Sequence, residues 1–151
     1  MVRAPACHAG SCGFESRLSR FFIFLLLTSC GSNSLDDFRD EGEQISKSLV
    51  KEFHSIDSRD QLIQSSPRIK KLFDELVSVM IAVREYQGRH MEEGLLELTH
   101  KNHLISDRLR IELERVYGFE GGRDLVERLQ AEALERLDAY ERELERRRGE
   151  L

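Results

Sequence analysis

Few side chains in this chain have types and spacing suited to chemistry, and most of those lie in one stretch, EEGLLELTHKNH, residues 92 to 103. Glu93, Glu97 and His100 stand at i, i+4 and i+7, so on a helix they share a face, with His103 one turn further on. Carboxylate and imidazole suit zinc, copper or iron, which makes Glu97, His100, His103 and Glu93 a candidate metal site. The plainer reading of the same residues is a polar, solvated helix face. His54 and His90 read as surface or capping residues. Gly118-Phe119-Glu120-Gly121-Gly122 lacks the following Lys-Ser/Thr and the preceding strand of a phosphate-cradling loop, so it reads as a helix-to-helix turn needing a positive φ. No Ser-His-Asp or Cys-His arrangement stands out, and the chain is expected not to be an enzyme.

The elements that must position these residues are helical. Strict alternation of apolar and polar residues is almost absent, so strands have little support. Ser34 is set to cap a first helix of about six turns, with Leu35, Phe38, Gly42, Ile45, Leu49, Phe53 and Ile56 on one face. Ser58-x-x-Gln61 has capping-box form for a short turn, and Ser66-Pro67 reads as a fresh start, with proline at the first helical position. Ile69, Leu72, Phe73, Leu76, Met80, Val83 and Tyr86 form the next stripe, widened by Val77, Val79, Ile81 and Ala82, and Gly88 is placed to end that helix in a left-handed cap. A third helix is predicted from about Met91 to Tyr117, with Asn102 as a polar residue on its apolar stripe. A last one runs from about Arg123 to Arg148, with Val126, Leu129, Ala133, Leu137, Tyr140 and Leu144 at coiled-coil-like spacing. The fold class expected is all-α: a four-helix up-and-down bundle, or helical hairpins with a coiled-coil-like C-terminal helix.

Glu97-x-x-His100 resembles the Glu-x-x-His element of di-iron carboxylate bundles. Those build their site from two such elements plus a Glu on each of two other helices, and this chain holds one.

A second resemblance concerns the address of the protein. Phe21 to Leu27 is an apolar run far shorter than the roughly 20 residues of a membrane-spanning helix. Arg17 and Arg20 before it and the small Thr28 and Ser29 after it have signal-peptide form. Leu27-Thr28-Ser29-Cys30 resembles the lipobox of bacterial lipoproteins. That resemblance implies cleavage before Cys30, a diacylglyceryl group on its sulfur, and a bilayer held through the acyl chains of Cys30. It further implies a cell-membrane protein facing the periplasm, with Gly31, a residue other than Asp, favouring the outer membrane where a cell has two. No other cofactor is expected, save zinc, copper or iron under the metal-binding alternative.

Upstream, residues 2 to 17 resemble the conceptual translation of an aspartate transfer RNA gene, so residues 1 to 20 are expected to hold a mis-called start and the n-region. On that reading Cys7, His8 and Cys12 carry no chemistry. The expected organisation is then residues 21 to 29 as h-region and cleavage region, 30 to 34 as lipidated Cys and tether, and 35 to 151 as one helical domain. Cutting before Cys30 leaves 122 residues, enough for one modest core. It also removes Arg3, Arg17, Arg20 and Glu15, taking the net charge from −5 to −7. So acidic a chain argues against nucleic acid as a partner. The function expected is a structural or adaptor role in the bacterial envelope, with self-association or capture of an envelope protein through the C-terminal helix; the alternative is an envelope metal-binding protein using the Glu/His cluster.

Overall fold

The computed structural model describes residues 34 to 93 and 96 to 149. Leu27, Thr28, Ser29 and Cys30 lie outside them. Helix α1 spans Leu35–His54 and is capped as its sequence predicts: the Ser34 hydroxyl accepts from the Asp37 N–H at 3.2 Å, with Asp36 and Asp37 in the positive first turn. Helix α2 spans Arg59–Arg89, a 3₁₀ turn follows at Met91–Glu93, and α3 spans His100–Tyr117 and α4 Gly122–Gly149. The all-helical expectation holds.

Side-chain pairs give the directions. Phe38 meets Tyr86 edge-on at 5.7 Å and Glu52 pairs with Arg68, so α1 and α2 are antiparallel. Lys101 pairs with Glu43 and His54 with Glu112, so α3 lies parallel to α1; Lys70 with Glu132 and Arg84 with Glu141 set α4 parallel to α2. Consecutive helices therefore alternate in direction, but they are not all neighbours. The α1/α2 hairpin is central, α3 flanks α1, α4 flanks α2, and α3 and α4 share only a small contact. Ten residues, 90 to 99, separate α2 from α3, enough chain for α3 to pack on α1 instead of α2.

The main core sits where α1 ends, α2 begins and the α3–α4 turn closes. Leu49, Phe53, Ile56, Leu62, Ile69, Val116 and Val126 are fully buried there. Each such side chain contributes about 1.5–3 kcal/mol by leaving water. A second cluster, Val77 with Ala133 and Leu137, joins α2 to α4. Gly121 supplies the turn's left-handed residue at φ +66°, and at Gly122 an added Cβ would stand 2.2 Å from the Val116 carbonyl oxygen.

Three boundaries differ from the sequence reading. Ser66-Pro67 does not restart the chain; α2 runs through Pro67. The carbonyl that proline leaves without its helical partner belongs to Ile63, a residue 49% exposed and so on the solvent side of α2, while Leu62 and Ile69 on the buried side hold the helix through the proline. Gly88 does not adopt a positive φ, and α2 ends one residue later at a His90 cap. The third helix starts at His100 and not Met91, because the Thr99 hydroxyl and the Asn102 side chain form a reciprocal capping box there.

Candidate functional site

The late start of α3 takes apart the shared helix face on which the Glu/His reading rests. Glu93 belongs to the 3₁₀ turn, Glu97 to the non-helical connector, and His100 and His103 to the exposed first turn of α3. Glu97 contributes its backbone instead, its carbonyl accepting from Arg39 Nε at 3.0 Å. Among the described residues no group of three or more His, Cys, Asp or Glu side chains is arranged to hold a metal ion. Asn102 both caps α3 and ties it to α1. Its Oδ1 accepts from the Thr99 N–H at 2.9 Å while its Nδ2 donates to Glu43 Oε2 at 3.3 Å, fixing the start of α3 against α1.

The best-built polar cluster lies at the other end of the same two helices. Glu112 is 7% exposed. Its Oε1 lies 2.7 Å from His54 Nδ1, and its Oε2 accepts from Arg115 Nε at 2.9 Å. Arg115 also donates through Nη1 to the Ile56 carbonyl at 2.7 Å and through Nη2 to the Phe53 carbonyl at 2.6 Å. One guanidinium thus joins the Ile56 N–H on the Phe53 carbonyl and takes the Ile56 carbonyl just beyond α1, where a cation also suits the helix dipole. Burial pushes the Glu112 carboxyl upward, but hydrogen bonds from His54 and Arg115 outweigh it and hold the group below its ordinary value. Sequence reading missed this cluster. Its signal was a glutamate on the apolar stripe of α3, in step with Ile105, Leu109 and Val116.

Between the first half of α1, the second half of α2 and the start of α3 the bundle opens into an apolar groove of about 550 Å³. Phe38, Leu76, Val79, Val83, Leu98 and Ile105 line it, and Arg39, Glu43 and Asn102 stand among its polar residues. Leu98 is 58% and Met80 38% exposed, so apolar surface there faces solvent. A groove of this size and lining suits an apolar side-chain cluster of a partner.

The seam of α4, by contrast, is occupied. Val126, Ala133 and Leu137 are buried, and Ala133 and Leu137 pack with Val77 of α2. Glu132 and Arg136, spaced i,i+4 on α4, reach across to α2: Glu132 pairs with Lys70, and Arg136 donates to the Asp74 carbonyl and the Ser78 hydroxyl. Glu143 with Arg147 remains local at 2.9 Å. The C-terminal helix therefore uses on its own domain the apolar stripe that the sequence assigned to partner capture.

No helix among the described residues is long and apolar enough to cross a membrane. Compared with protein-family models, curated proteins and solved structures, the chain matches none.

Proposed function

We propose that this chain is a membrane-anchored bacterial lipoprotein whose helical domain has a structural or adaptor role in the cell envelope, without catalysis. The observation that carries the reading is Leu27-Thr28-Ser29-Cys30 at the end of the Phe21 to Leu27 run, followed after only three residues by the Ser34 cap of α1. Such an arrangement joins a lipid-modified cysteine to a folded domain through a minimal tether. Two or three acyl chains on one residue anchor stably where a single chain does not. Because α2 covers the α4 seam, we assign partner capture to the groove between α1, α2 and α3, whose half-exposed Met80 and Leu98 lack the cover that α2 gives Leu137. Gly31 after the cysteine favours the outer membrane in a two-membrane cell. Palmitate labelling with and without globomycin tests the anchor. Label on the wild type that Cys30→Ala loses, with accumulation of the uncut form under globomycin, is expected; a Cys30→Ala variant that keeps its label and its membrane fraction contradicts the reading.

A further inference from the structure

The outward side of α3 carries two large aliphatic residues that no other described residue covers. Leu104 is 55% and Ile111 59% exposed, and their spacing of seven sets them two turns apart on one stripe. Lys101 and Arg108 border that stripe on the side of α1, where exposed Lys47 and Lys51 continue the basic strip. A shallow cleft of about 330 Å³ between the two helices, lined in part by Lys47, Lys51, Ile105 and Arg108, makes these side chains one surface. Glu43 is held between Lys47 and Lys101, each at 2.6 Å, and Asp107, on the stripe between Leu104 and Ile111, pairs with Arg110 at 3.2 Å, while exposed Glu114 stands one turn beyond Ile111. In a mature chain of net charge −7 a basic strip along the α1 side of exposed Leu and Ile is a departure from the average surface.

We infer that this α1/α3 face lies on an anionic bilayer surface, with Leu104 and Ile111 in the headgroup boundary and the lysines and Arg108 against the headgroups. The inference rests on the lipoprotein reading above. Five residue steps separate Cys30 from Leu35, a reach of at most about 17 Å, while the 20 residues of α1 extend about 30 Å. Since α3 runs parallel to α1, the face begins at the tethered end and continues along the membrane when the domain lies on its side. An end-on pose would instead press Asp36, Asp37, Glu92 and Glu97, all at that end, toward the anionic headgroups. An amphipathic helix with aliphatic residues on a basic face binds such an interface by burying the first and pairing the second.

The chain contains no tryptophan, so single substitutions give an unmixed signal. The lipidated full chain carrying Leu104→Trp, Ile111→Trp, Met91→Trp or Ile63→Trp is reconstituted in phosphatidylethanolamine vesicles with phosphatidylglycerol and brominated acyl chains. All four positions are exposed, and circular dichroism verifies that each variant keeps its helix content. Expected is a blue shift and strong quenching at positions 104 and 111, with little at 91 or 63. In the Lys51→Gln, Arg108→Gln double variant the quenching no longer rises with phosphatidylglycerol content. A palmitoylated chain with no quenching at 104 and 111 overturns the inference and leaves the anchor standing. So does quenching at 91 in their place, which is the end-on pose, or shielding that grows with protein concentration in detergent, which is a second copy on the same face. Quenching that rises with phosphatidylglycerol in the double variant as in the wild type overturns the anionic contact. A chain without palmitate overturns both readings together.

Discussion

Arg115→Ala should be among the most damaging single substitutions outside the apolar core. The side chain donates to Glu112 Oε2, to the Ile56 carbonyl and to the Phe53 carbonyl, all within 2.9 Å, at the junction where α1 ends against α3. Hydrogen bonds involving a charged group contribute about 1.5–3 kcal/mol each, and a buried acceptor left alone loses its solvation as well. Full loss of three is an upper bound, because the Arg115 side chain is 37% exposed and water replaces part of what it gave. The expected cost is about 3 kcal/mol, or roughly 10 °C in Tm for a domain of this length. Thermal unfolding followed by circular dichroism measures it. Glu112→Gln should cost less, since an amide oxygen can still accept from Arg115, and the double variant should fall well short of the sum. A drop under about 3 °C for Arg115→Ala, or additive effects, would refute the assignment of this cluster as the clamp between α1 and α3.

The pH dependence follows from the lowered Glu112 carboxyl. A group whose folded value lies below its ordinary 4.5 adds stability that is complete above that value and lost as pH falls through the folded one; the stability gap between wild type and Glu112→Gln should therefore be widest near neutrality and close in acid, and a gap that widens on acidification would be contrary. Pro67→Ala restores a helical donor to the Ile63 carbonyl and should raise Tm by about 4 °C, a fall counting against the continuous α2. Gly122→Ala, meeting the Val116 carbonyl, should cost about 1–3 kcal/mol and exceed Gly121→Ala, which a denaturant titration of both resolves. Removing residues 123 to 151 takes Val126 from the main core and uncovers Val77, so the remainder should lose its cooperative melt; a shortened chain with wild-type Tm would return α4 to the role of a free docking arm.

Much of this fold is legible from local signals. Ser34 announces its helix because a hydroxyl before an acidic first turn can take an orphan amide, Ser58 was legible as a cap but of a short turn and not of the 31-residue α2, and Gly121 announces its turn because its φ of +66° is costly for other residues. Pro67 and Gly88 mislead for a shared reason. Each signals a boundary by propensity alone: at Pro67 the packing of Leu62 and Ile69 on either side carries α2 through, and at Gly88 the helix does end close by, but at a His90 cap whose N–H bonds the Tyr86 carbonyl without a left-handed residue. Thr99 with Asn102 was the true start of α3, but Asn102 sat on the apolar stripe and read as a core polar residue, which carried the predicted helix back to Met91 and aligned Glu93, Glu97 and His100 on a face that does not exist. Spatial order was beyond periodicity altogether. Nothing in the apolar stripe of α4 says which helix will cover it, and only long-range pairs such as Lys70 with Glu132 place it on α2. The groove was illegible for the same reason, since it arises from where three helices diverge.

Mass spectrometry of the protein extracted intact from bacterial membranes decides whether Cys30 is the lipid anchor. Expected is a chain that begins at Cys30, with the mass of diacylglyceryl and N-acyl additions on its N-terminal peptide and none on Cys30→Ala. An N-terminal peptide that runs through Ser29 to an unmodified Cys30 in the wild type would contradict it.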